Sequence, residues 1–90
     1  MSQITWESKV AHPNGVHCRV AAQLTEIVAT HDAEVRIIIS PEETVDCASM
    51  LEILSLALIQ GSRVAFTAEG PDAEQVAKAI DQLLSDREAS

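Results

Sequence analysis

Residues 11–23, AHPNGVHCRVAAQ, gather the side chains of this sequence best suited to chemistry. His17 carries a ring that is nucleophilic near neutral pH, because an unperturbed imidazole titrates at about 6.5. Ahead of it stands a turn signal, Pro13-Asn14-Gly15, in which Pro presets one backbone angle and Asn or Gly accepts a positive φ. Behind it Ala21, Leu24, Ile27 and Val28 recur at helical spacing, so Cys18, Arg19 and Val20 form the first turn of a predicted helix. The first amides of a helix have no internal partner, and the macrodipole adds about half a positive charge there. An anion is stabilised at such an end, and Arg19 offers a guanidinium for its oxygens. A nucleophilic imidazole beside an anion cradle reads as a site for histidine phosphorylation.

Other reactive side chains have plainer roles. Ser49 precedes an apolar run and fits an N-cap, with Glu52 placed to complete a capping box. Cys18 lies at a helix start, where a thiol is activated, but a small residue at a variable site is the simpler reading. Cys47 reads as a small buried hydrophobe. His31 falls near the end of the first helix, where an imidazolium complements the dipole, and His12 is a loop residue with no assigned task. His12, His17 and Cys18 match no common metal-ligand spacing, so neither a metal nor a cofactor is expected.

The elements that position these residues follow from periodicity. Ile4, Trp6 and Val10, with Ser8 as a small inward residue, alternate with polar neighbours and predict a first strand over residues 3–10. The first helix ends near residues 30–32, and Val35, Ile37 and Ile39 then mark one face of a second strand over residues 33–39. Residues 40–43 turn the chain into a short third strand over residues 44–48, paired with the second as a hairpin. An almost wholly apolar helix spans residues 49–56, and Gln60-Gly61-Ser62 leads to a fourth strand over residues 63–68. Pro71 suits the first position of a last helix whose apolar stripe is Ala73, Val76, Ala77, Ile80, Leu83 and Leu84; residues 86–90 fray. The order β-α-β-β-α-β-α fits a four-stranded sheet with helices on one face, and periodicity leaves a ferredoxin-like arrangement equally open.

Composition bounds the function. Ninety residues make one domain, residues 1–90, and 47% hydrophobic content argues for a packed fold. With Trp6 and Phe66 its only aromatic residues, the core is aliphatic. A formal charge of −8 argues against nucleic acid or an anionic membrane and leaves room for a protein partner with a basic face. Neither a signal peptide nor an apolar run of spanning length is present, and two irregularly spaced cysteines make no disulfide framework, so a cytoplasmic location is expected.

Asn14-Gly15-Val16-His17-Cys18-Arg19-Val20-Ala21-Ala22 resembles the active-site segment N-G-L-H-x-R-P-A of the HPr family, histidine phosphocarriers of the bacterial phosphotransferase system. Ala48-Ser49-Met50-Leu51, running on through Leu56-Ala57-Leu58-Ile59-Gln60-Gly61-Ser62, resembles the family's regulatory-serine helix and the loop after it. The resemblance implies an α+β open-faced β-sandwich, a four-stranded antiparallel sheet with three helices on one face. It implies that His17 accepts a phosphoryl group at Nδ1, that Arg19 stabilises the phosphate, and that Ser49 is a regulatory site for an HPr kinase. Met50, Leu51 and Leu54 become a partner surface for an enzyme I-like donor and enzyme II-type acceptors in sugar uptake. The chain is then a carrier and not an enzyme with its own substrate pocket. The alternative is a nitrogen-type or catabolite-control regulator that acts by phosphorylation-dependent protein binding, through Ser49. Two departures bear on these roles: Val20 stands where the family has proline, and Glu52 where it often has a small or basic residue.

Overall fold

The computed structural model describes residues 3–86. Seven elements follow in the order β1 (Gln3–Lys9), α1 (Cys18–Ala29), β2 (Glu34–Ser40), β3 (Glu43–Asp46), α2 (Met50–Ser55), β4 (Arg63–Glu69) and α3 (Ala73–Ser85). The strands form one sheet in the order β1-β4-β2-β3, with every neighbouring pair antiparallel. That order decides for the open-faced sandwich that the resemblance implies. The period-two pattern of each strand determines which face receives the helices. Val10, Val35, Ile37, Val64, Phe66 and Ala68 are buried on the covered face. There they meet Leu24 of α1, Ile53 of α2, and Val76, Ile80 and Leu84 of α3 in one apolar cluster. Trp6 stacks on its cross-strand partner Phe66 with ring centroids 5.2 Å apart and planes 12° from parallel. Such a pair contributes about 0.5–1.5 kcal/mol beyond its buried area. Ser8 is the polar residue among these inward positions, and its hydroxyl donates to Asp81 Oδ1 at 2.8 Å, tying β1 to α3.

The predicted elements are present, and their ends differ where a side chain turns the chain. The third strand stops at Asp46 instead of residue 48. The Asp46 carboxylate accepts the Ala48 N–H at 2.9 Å and its carbonyl accepts the Ser49 N–H at 3.1 Å, which closes a turn. The expected inward place of Ile39 is also corrected: the side chain is 45% exposed. β2 pairs with β4 only as far as Ile38, and its register with β3 shifts between Ile38 and Ser40, so Ile39 lies past the covered part of the sheet. Pro71 does not open the last helix either. Asp72 is its N-cap residue, but the Asp72 carboxylate accepts the Asp32 N–H at 2.7 Å instead of capping α3. That bond ties the start of α3 to the turn after α1. Residues 87–90 of the predicted fraying end lie outside the described residues; Asp86 is the C-cap of α3.

The segment after α2 carries backbone strain. Ala57 is the non-glycine residue with positive φ, 52°, among the described residues, and it is exposed. A Cβ in the left-handed region costs about 1–2 kcal/mol, and glycine avoids most of it. Ala57→Gly is therefore expected to raise the urea midpoint, with a stabilisation of about 1 kcal/mol. A lowered midpoint would contradict the assignment of strain to this residue.

Candidate functional site

The segment 11–17 folds back on itself before α1 starts. The Gly15 N–H donates to the His12 carbonyl at 2.9 Å, closing a turn with Pro13 and Asn14 at its centre. Gly15 has φ +67°, and a Cβ there would lie 2.8 Å from Ile59 Cα and closer still to the Leu58 carbonyl oxygen. Only glycine allows both the angle and the approach. One residue on, the Val16 N–H donates to the Leu58 carbonyl at 3.0 Å. The turn is thereby fastened to the segment after α2, and the buried Val16 side chain anchors it from below. This contact delivers His17 to the head of α1.

His17 is the N-cap residue, with extended φ of −91° and ψ of −176°, and it is half-buried. The Arg19 backbone N–H donates to His17 Nδ1 at 3.3 Å. Because the donor is a backbone amide, Nδ1 carries the lone pair, and the proton of the neutral ring sits on Nε2. The first i to i−4 bond of α1 runs from the Ala21 N–H to the His17 carbonyl at 2.9 Å. The amides of Cys18, Arg19 and Val20 thus precede the helical ladder, with Arg19's capped by the imidazole. No acidic residue occupies the first turn of this 12-residue helix. Among the described residues the Arg19 guanidinium enters no ion pair, in contrast to Arg36 and Arg63, which pair with Glu34 and Glu7. A nucleophilic nitrogen, unneutralised amides, the positive end of a dipole and an exposed guanidinium share one end of the molecule. That combination suits transient attachment of a phosphoryl group.

The match to known proteins agrees over the same span. The family model described as the PTS HPr component phosphorylation site matches residues 4–86. The chain belongs to the PTS HPr family. It is 31% identical to phosphocarrier protein HPr of Buchnera aphidicola over 80 residues, covering 89% of this chain and 93% of that one. It is 34% identical to phosphocarrier protein HPr of Lysinibacillus sphaericus over 82 residues, covering 91% and 92%. The crystal structure of HPr from Bacillus anthracis superposes with a TM-score of 0.81 at 29% identity, covering 91% of this chain and 96% of that one.

The remaining family positions separate by environment. Val20 is 2% exposed and packs into the core, so the residue standing at the family's proline adds a buried side chain and keeps an amide in the first turn. Ser49 is the N-cap of α2, and its hydroxyl accepts the Glu52 N–H at 3.4 Å. The reciprocal half of the capping box is missing, because the Ser49 N–H is already bonded to the Asp46 carbonyl. α2 has only six residues, and Glu52 puts a negative charge in its first turn. Of the three residues expected as a partner surface, Leu51 is 81% exposed, while Met50 and Leu54 are half-buried and rest against the core. Ile59, in the segment fastened to Val16, adds a second exposed side chain that the apolar pattern of α2 does not reach.

His31 caps its own helix: its Nδ1 lies 2.7 Å from the Ile27 carbonyl, in the last turn of α1. The His12 ring lies against the His17 ring, with centroids 5.1 Å apart and planes at 68°. Residue type and spacing do not point to this contact, which follows from the closure of the turn between the two rings. Among the described residues no cluster of His, Cys, Asp and Glu side chains is arranged to hold a metal ion.

Both thiols are free. Burial, and secondarily the charge of Asp46, pushes the Cys47 thiol from an ordinary 9.0 up to about 12. The folded state keeps this proton more tightly than the unfolded chain. The associated stability is therefore complete below pH 9 and is lost as pH rises toward 12. A thiol reagent at pH 8 is expected to label exposed Cys18 and to spare Cys47 in the folded protein. In Cys47→Ala the extra loss of stability between pH 9 and 12 should disappear from denaturation curves. Labelling of both thiols at equal rates would contradict the burial argument.

Proposed function

We propose that His17 is the phosphoryl acceptor of this HPr-family chain and that Arg19 stabilises the attached phosphate. The observation that carries the proposal is the Nδ1 lone pair facing the Arg19 N–H at the start of α1, 3.3 Å away. In the proposed reaction the Nδ1 lone pair forms a P–N bond as the donor's bond to phosphorus breaks, and Nε2 keeps its proton throughout. The Arg19 amide, released from Nδ1, joins those of Cys18 and Val20 in meeting the phosphoryl oxygens. The dipole of α1 and the Arg19 guanidinium offset the added negative charge. Transfer onward is the reverse step with a new acceptor, which favours a site that holds the phosphate from one side and leaves the other open.

On this reading the donor is a phosphoenolpyruvate-driven enzyme of the enzyme I type, and the acceptors are enzyme II-type proteins of sugar uptake. The chain works as a cytoplasmic carrier, with no substrate of its own beyond the phosphoryl group. Leu51, with Met50 and Leu54 beside it, is the apolar part of the docking surface. Ser49 as a regulatory phosphorylation site rests on the resemblance alone; the short α2 and the Glu52 carboxylate oppose a phosphate there.

Incubation with phosphoenolpyruvate and a cognate enzyme I is expected to give an acid-labile phosphate on the native chain and none on His17→Ala. Arg19→Ala is expected to keep the site and slow the transfer by about tenfold, the effect of losing one charge-assisted contact. Stable phosphate on His17→Ala, or no phosphate on the native chain with an enzyme I active on another carrier, would overturn the proposal.

A further inference from the structure

His17 is less firmly held than its role demands. It is half-buried, and the bond from the Arg19 N–H, at 3.3 Å, lies just beyond the usual N–H···acceptor range. Rotation of the ring out of its plane about the Cβ–Cγ bond would swing Nδ1 away from the amides. A second hold on the ring plane is present, and it comes from His12. The two imidazoles meet edge to face, with centroids 5.1 Å apart and planes at 68°, an arrangement in which the positive edge of one ring meets the negative face of the other.

His12 can act as a support because it is itself fixed twice. Its carbonyl accepts the Gly15 N–H at 2.9 Å, and its ring Nδ1 accepts the Asn14 N–H at 3.1 Å. The second bond makes an imidazole version of the turn that Asp and Asn side chains close on the residue two ahead. It also fixes the tautomer: Nδ1 holds the lone pair, so the neutral ring carries its proton at Nε2.

We propose that His12 is a positioning residue, whose ring holds the His17 imidazole in the orientation that keeps Nδ1 toward the start of α1. The proposal rests on the reading of His17 as the phosphoryl acceptor and adds a residue to it. The ring supplies the effect, and the bond to Asn14 places the ring. Holding a nucleophile near its attack geometry raises the transfer rate without adding any group to the reaction.

Two substitutions separate the ring from the turn it closes. In His12→Asn the side-chain oxygen can still accept the Asn14 N–H, but the ring is gone. In His12→Phe an aromatic ring remains beside His17 and the acceptor is lost. The readouts are the tautomer of His17, from imidazole nitrogen shifts in the unphosphorylated chain, and the rate of phosphorylation by enzyme I. Exchange protection of the Val16 amide reports whether the turn is still fastened to Leu58.

His12→Asn is expected to shift the His17 tautomer toward the mixture of a free imidazole and to slow transfer on the order of fivefold, with Val16 still protected. His12→Phe, which keeps a ring but loses the bond that places it, is expected to fall between native and His12→Asn in both readouts. The proposal is overturned if His12→Asn leaves tautomer and rate unchanged, or if its losses come with loss of Val16 protection. Equal losses in the two variants would also overturn it. Failure of the native chain to take phosphate would sink the reading of His17 as acceptor, whereas the tautomer measurement would still test the positioning.

Discussion

The hydrogen bond from the Val16 N–H to the Leu58 carbonyl, 3.0 Å long, is the constraint on which the site depends. It joins the turn before α1 to the segment after α2, two pieces of chain far apart in sequence. It exists because Gly15 has no Cβ: any other residue would collide with the backbone at Leu58 and Ile59. With the turn held there, the chain leaves Val16 in the direction that makes His17 the N-cap of α1. The same bond places the exposed Ile59 in a segment fastened directly to the turn that leads into His17. Ala57, at φ 52°, sits one residue before Leu58, so backbone strain lies next to the point of attachment.

Most of the fold is legible in the sequence because it rests on local patterns. Alternation in β1, β2 and β4 and the helical stripes of α1 and α3 state both the type of each element and its buried face. The sheet order is not legible this way. Placing β4 between β1 and β2 is a choice among long-range pairings, and alternation is satisfied equally by others. Element ends differ from the pattern where a carboxylate has two uses. Asp46 could continue a strand or close a turn, and Asp72 could cap α3 or bind Asp32; in both cases the bond outside the element won. Ile39 shows a third limit, since alternation gives a side but does not say how far the covering layer extends.

The candidate site divides in the same manner. His17 and Arg19 are legible because a turn signal followed by a helical stripe locates a helix start, and helix starts have a known chemistry. His12 is not, because nothing in residue type or spacing says that the two rings meet; that follows from the closure of the turn between them. The pattern of Ser49 and Glu52 gives the cap but not the missing half of the box, since the Ser49 amide is used by the Asp46 carbonyl. The difference between the two helix starts is physical as well as positional. α1 has 12 residues and no acid in its first turn, whereas α2 has six and carries Glu52. On the proposed reading the start of α1, free of acidic side chains, is the one that receives a phosphoryl group.

On the proposed reading the phosphoryl group joins one atom, His17 Nδ1, because that nitrogen faces the amides at the start of α1 while Nε2 carries the ring proton. The most direct measurement is nitrogen and phosphorus NMR of the chain phosphorylated by enzyme I, with the imidazole nitrogens labelled. Phosphorus coupled to Nδ1 of His17, with a proton retained on Nε2, is the expected result. Coupling to Nε2, or to a nitrogen of His12 or His31, would contradict it.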